Sequence, residues 1–136
     1  MTADTDAGAI VMTAQALAPN PASEAEMAEW KQLVARAHAE RRPLHLRYFG
    51  SANQIAGYRL FYMLQYAKEA GVDRVALHSD GLFWIDEATD WLAECGVDEI
   101  VLETAGTLPP ALAGRVAALA GRKDHQTAVM VRPRLG

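Results

Sequence analysis

The stretch Arg74 to Thr104, RVALHSDGLFWIDEATDWLAECGVDEIVLET, limits the fold more than any other part of the chain. It spells out strand, helix and strand in one short span. Arg74-Val-Ala-Leu-His78 is strand-like, and Ser79-Asp80-Gly81 is turn chemistry. Asp86 to Cys95 carries an amphipathic helical pattern, and Glu99-Ile-Val-Leu-Glu103 is a second strand. Two neighbouring strands joined through a helix run parallel, because an antiparallel pair needs only a tight turn.

The same theme extends in both directions. Residues 1–22 are rich in Ala and end in Pro19-Asn20-Pro21, which reads as a loosely ordered arm. Within it, Ala9-Ile10-Val11-Met12 is apolar enough to dock as a strand or a helical turn. Ser23-Glu24-Ala25-Glu26 is a capping box, and Met27, Trp30, Val34 and Ala37 share one face, so a first helix is expected over 23–41. Pro43 stops it, Leu44 to Phe49 is the first strand, and Gly50-Ser51-Ala52-Asn53 is its exit loop. A second helix is expected over 54–70 on the stripe Leu60, Met63, Leu64 and Ala67, with Gly71 as its left-handed end residue. After the central unit, Pro109-Pro110 opens a helix over 109–120 on Leu112, Val116 and Leu119, and Ala128 to Arg132 is the last strand. The expectation is one α/β domain, residues 23–136, with four mainly parallel strands alternating with helices.

Side chains alternate along a strand, so each strand divides into two sets. One set is Leu44, Leu46, Tyr48; Val75, Leu77, Ser79; Ile100, Leu102, Thr104; Val129, Val131, apolar until each strand ends. The other is His45, Arg47, Phe49; Ala76, His78, Asp80; Val101, Glu103; Met130, Arg132, and it holds nearly all the charge. A sheet with helices on both faces would bury those charges, and such sheets show near-continuous Val, Ile and Leu strands instead. The pattern therefore favours an open half-barrel sheet, a part of a (β/α) barrel, with helices on one face and a polar concave side. A doubly wound sheet is the alternative, and a register slip of one residue would invert any strand's assignment.

Composition narrows the function classes. The formal net charge of −4 lacks the basic excess that phosphate-backbone binding uses, so no nucleic-acid partner is expected. One cysteine, Cys95, excludes an internal disulfide. No apolar run approaches the roughly 20 residues of a membrane span, and a cytoplasmic protein without a membrane partner is expected.

Residues 43–133 resemble the second-to-fifth-strand region of the radical S-adenosylmethionine enzymes. The motifs that carry the likeness are Phe49-Gly50-Ser51-Ala52, Ser79-Asp80-Gly81-Leu82, Leu92-Ala-Glu-Cys-Gly96-Val-Asp98 and Glu103-Thr-Ala-Gly106. They stand where that family has Gly-Gly-Glu, Thr-Asn-Gly-Leu, Leu-x-x-x-Gly-Val-Asp and Ser-Leu-Asp-Gly. The resemblance implies a partial barrel, but this chain lacks the family's Cys-x-x-x-Cys-x-x-Cys loop, and Ala52 falls where the family has its cofactor-binding carboxylate. One thiol cannot anchor an iron-sulfur cluster. No cofactor, no metal and no autonomous radical catalysis are expected.

Arg47, His78, Asp80, Glu103 and Arg132 on the polar strand set, with Ser51 and Asn53 in the exit loop, are the candidate ligand-binding residues. Such a set can hold a small polar or anionic ligand, with His78 or His45 as base and Arg47 or Arg132 as anion clamp. A mutually satisfied layer of ion pairs uses the same residues. His78, Asp80 and Glu103 also offer nitrogen and oxygen donors to a metal, but no second His is fixed beside them by local spacing. Phe83-Trp84 reads as an exposed loop contact. Phosphate-loop and nucleophile-relay motifs are absent. Two functions fit: a non-catalytic half-barrel accessory or binding subunit for a partner protein, or a small enzyme or ligand-binding domain using the polar face. Uncovered sheet edges add the expectation of a homodimer or a different protein partner.

Overall fold

A computed structural model describes residues 8–13, 21–48, 54–80, 84, 86–104, 108–122 and 127–133. They form β1 (Ile10–Thr13), α1 (Pro21–Glu40), β2 (Leu44–Tyr48), α2 (Gln54–Glu69), β3 (Val75–Ser79), α3 (Asp86–Cys95), β4 (Glu99–Thr104), α4 (Pro110–Ala120) and β5 (Ala128–Pro133). The five strands make one sheet in the order β1-β2-β3-β4-β5, and every neighbouring pair is parallel. Each crossover thus moves one strand in the same direction. Crossovers of one hand and one direction stack all their helices on one face, as in a segment of a (β/α) barrel. Among the described residues β1 does not pair with β5, so the sheet is open.

The register settles the two strand sets. Leu44 lies beside Val75, Leu46 beside Leu77, Leu77 beside Ile100 and Ile100 beside Val129. Leu44, Leu46, Tyr48, Val75, Leu77, Ile100 and Leu102 join one hydrophobic core with Trp30 and Val34 of α1, Leu60 and Leu64 of α2, Leu92 of α3 and Leu112 and Leu119 of α4. Ala76 and Val101, of opposite parity, are buried but stand outside that core. The helices therefore cover the apolar set of β2, β3 and β4, leaving Val129 of β5 only partly buried and Val131 50 % exposed, and the polar set faces the other way. Trp30 anchors the layer: its Nε1 donates to the Met63 carbonyl at 2.8 Å, which satisfies the polar end of a fully buried ring.

Two features sharpen the sequence expectation: the apolar piece around Ile10 takes the strand form of the two left open for it, raising the count from four strands to five, and the first helix starts earlier. Ile10–Thr13, within the stretch read as an arm, is a fifth strand parallel to β2, with Ile10 and Met12 in the core and Arg42 Nε donating to the Gly8 carbonyl at its entrance. Helix α1 begins at Pro21, two residues ahead of the Ser23 cap, since a proline is already set for the first helical position.

Helices α1 and α2 end in the same way. Val72 donates to Ala67 O and Arg42 donates to Ala37 O, six-residue closures around a left-handed residue. That residue is Gly71 (φ +97) after α2 but Arg41 (φ 54) after α1. A Cβ on Gly71 would also stand 2.9 Å from His38 Cε1. We expect Gly71→Ala to cost more than about 1 kcal/mol, and Arg41→Gly to stabilise by about 1 kcal/mol by removing left-handed strain. Urea midpoints of the two variants check this, and shifts of the same sign would contradict it.

Candidate functional site

On the face opposite the helices, β2, β3 and β4 bring three side chains of the polar set together. Register places Arg47 beside His78 and His78 beside Val101, and Glu103 stands two residues further along β4. From there one carboxylate oxygen, Glu103 Oε2, lies 3.4 Å from His78 Nδ1 and 3.7 Å from Arg47 Nη1. The first is a long hydrogen bond and the second an ion pair. His78 is only 5 % exposed, and its ring centroid lies 4.9 Å from that of buried His45, tilted by 31°. This ring pairing is a diagonal contact between neighbouring strands, since His45 lies beside Ala76.

The carboxylate at Nδ1 selects the tautomer that carries its proton there, which leaves a lone pair on Nε2. Nε2 is buried and has no hydrogen-bond partner among the described residues. Leaving such a group unsatisfied costs about 1–3 kcal/mol, so a ligand donor or a water that reaches it recovers that cost. Chemically, a carboxylate-oriented imidazole beside a guanidinium can accept a proton and hold an anion.

The remaining candidates are less concentrated. Arg132 lies beside Glu103 in the register, but its side chain is exposed and no bond to the Arg47–Glu103–His78 group is present among the described residues. Asp80 follows the end of β3 and is half-buried. Ser51 and Asn53 lie outside the described residues. Among the described residues no three His, Cys, Asp or Glu side chains are grouped to hold a metal ion.

Trp84, read as part of an exposed loop contact, is 1 % exposed, and its Nε1 donates to Thr89 Oγ1 at 2.9 Å. Its side chain joins the core because that hydroxyl, five residues on, satisfies the indole N–H inside the helical layer; Phe83 lies outside the described residues. Cys95 is buried on the helical side, where its Sγ is 3.4 Å from the Leu92 carbonyl. A shallow groove of about 470 Å³ runs along α3 and α4 past Thr89, Gly114 and Arg115. It lies on the helical side too, and Arg115 there donates to the Trp84 carbonyl at 2.8 Å.

Compared with family models, curated proteins and solved structures, the chain matches none, so the likeness to radical S-adenosylmethionine enzymes rests on the motifs quoted above.

Burial pushes the Cys95 thiol up to about 11. The native thiol is then almost wholly protonated at pH 8, and reaction with a disulfide reagent should be slow until urea exposes it. The sign of the linkage follows: the unfolded thiol ionises first, so this contribution to stability is complete below about pH 9 and falls as pH rises toward 11. Cys95→Ala should flatten that part of the stability profile, and rapid native labelling at pH 8 would contradict the assignment.

Proposed function

We propose that this protein is a non-catalytic half-barrel of radical S-adenosylmethionine type, working in the cytoplasm as an accessory or binding subunit beside a partner protein. The observation that carries the reading is the separation of the two strand sets. The apolar set of β2, β3 and β4 is covered by the helices, whereas Arg47, His78 and Glu103 gather on the face that no described helix covers. His45, Ala76, His78 and Val101 are already buried within the chain itself, so a partner would meet the charged rim of Arg47, Glu103 and Arg132 around them. The missing cluster loop and the alanine at position 52 argue against independent radical chemistry.

A second reading is favoured by one atom. Among the described residues the His78 ring is held from behind by Glu103 and its Nε2 has no partner, which suits a small-molecule site with His78 as proton acceptor and Arg47 or Arg132 as anion clamp.

A thermal-shift series with S-adenosylmethionine, divalent metals and small carboxylic and phosphoric acids separates the two. A ligand of the native state at about a hundredfold its Kd stabilises by roughly 2.7 kcal/mol. The accessory reading expects no saturable rise in Tm. A rise with one of the acids that disappears in Arg47→Ala and in His78→Ala replaces it with the second reading. Anaerobic reconstitution should leave the chain without stoichiometric iron and sulfide, and uptake of a full cluster would overturn both.

A further inference from the structure

Both outer strands of the open sheet leave an edge, and β1 exposes Val11 by 49 %, but the edge of the last strand is the longer. β1 is four residues long with Ile10 and Met12 buried, whereas β5 spans six residues and exposes Met130 by 41 % and Val131 by 50 %. Natural edges are blunted by brevity, charge or proline. β5 carries Arg132 and Pro133 only at its end, so Ala128 to Val131 is unguarded. Among the described residues its sole strand partner is β4.

The backbone of that edge can be read group by group. Ala128 donates its N–H to the Asp98 carbonyl, so Ala128, Met130 and Arg132 turn their backbone groups to β4. Val129, Val131 and Pro133 turn theirs outward. The proline, which has no N–H, thus sits where the β4 ladder loses nothing.

We propose that β5 pairs antiparallel with β5 of a second copy of this chain, about a two-fold axis at Met130, to give one continuous sheet across the dimer. In this register Val129 faces the second copy's Val131 on both sides of the axis, and the outward N–H and C=O groups of all four residues are matched. Met130 meets its own copy, and Arg132 lies opposite Ala128, so no like charges oppose. Shifting the axis to Val131 would set Pro133 against Val129 and leave a carbonyl on each strand without a donor. An axis at Arg132 would set two guanidinium groups side by side. Proline and arginine together exclude the registers beyond Met130, and an axis at Val129 would set Val131 against Thr127, ahead of the start of β5. A two-fold pair is closed, so it ends growth at two copies. The inference concerns the sheet edge and not the polar face, and it stands apart from the functional reading above.

Sedimentation of the full chain over a concentration series should show a dimer. Val131→Pro removes an outward N–H and spares every bond to β4, so this variant should be monomeric with unchanged circular dichroism and a cooperative melt. If it fails to fold, Val131→Lys replaces it and should likewise be monomeric. Met130→Cys in a Cys95→Ala background should cross-link to a covalent dimer under mild oxidation, because residues facing each other in a non-hydrogen-bonded antiparallel pair lie within disulfide reach, whereas Arg132→Cys should not. A wild-type chain that stays monomeric, a dimer that survives both Val131 variants, or a dimer that does not cross-link at position 130 would each overturn the proposal. The last result would point to a parallel pairing with β1 of the second copy or to an interface elsewhere.

Discussion

Asp98 holds four elements of this fold together at a single residue. Its Oδ2 accepts the Val75 N–H at 2.8 Å and the Lys68 ammonium at 2.8 Å, its own N–H donates to Val75 O at 2.9 Å, and its carbonyl accepts the Ala128 N–H at 3.0 Å. One aspartate therefore joins α2, β3, β4 and β5 at the N-terminal end of the sheet. Lys68 extends the knot to the Val72 and Asp73 carbonyls. The ion pair alone is partly exposed and worth little, but a carboxylate that accepts a backbone N–H at a strand entrance contributes about 1.5–3 kcal/mol and fixes where the strands start. Where they start decides everything else, because a slip of one residue would turn Leu77 and Ile100 away from the helices and His78 and Val101 toward them.

Strong local patterns made most of this architecture legible in the sequence. The helical stripes of α2 and α4 and the left-handed glycine after α2 lie where their residues placed them, and the alternation of β2, β3 and β4 separated core from polar face before any register was known. The failures have physical causes. β1 is too short and too close to Ala-rich sequence to show alternation, and its place is set by tertiary contacts: Ile10 and Met12 enter the core, and Ile10 donates to the Pro43 carbonyl. Trp84 looked exposed because it follows a turn, yet the hydroxyl that lets it enter the core is only five residues on, at Thr89. For the site, parity placed His78, Arg47 and Glu103 on one face, but it could not show that one oxygen of Glu103 serves both of the others. That depends on side-chain reach across β3, which no sequence period encodes. The diagonal approach of His45 to His78 was available in principle from the strand offset, since it needs only the β2–β3 register.

Isolating the polar set has an energetic logic. On the helical side, Leu44, Leu46, Val75, Leu77, Ile100 and Leu102 are fully buried, and burial of such side chains is worth about 1.5–3 kcal/mol each. Helices laid on the other face as well would have to desolvate Arg47, Glu103 and Arg132, whose mutual attraction across 3.7 Å or more does not repay that cost when water is excluded. The rim stays partly wet: Arg47 and Glu103 are half-buried and Arg132 is exposed. His45, Ala76, His78 and Val101 lie at the centre of the same face and are all buried, so the surface is dry in the middle and charged around it.

That arrangement bears on the choice between a self-satisfied ion-pair layer and a site. A layer that existed only for stability would pair each buried donor and acceptor, because an unpaired buried group costs more than a pair gains. The pairing here is complete at one end of His78 and open at the other: Nδ1 faces Glu103, and Nε2, equally buried, faces no described polar atom. Glu103 cannot supply the missing partner, since its carboxylate only accepts hydrogen bonds and the lone pair on Nε2 needs a donor. At His78 Nε2 the face therefore carries hydrogen-bonding capacity that its described residues leave unused, and that atom sits among buried side chains, where a donor would gain most.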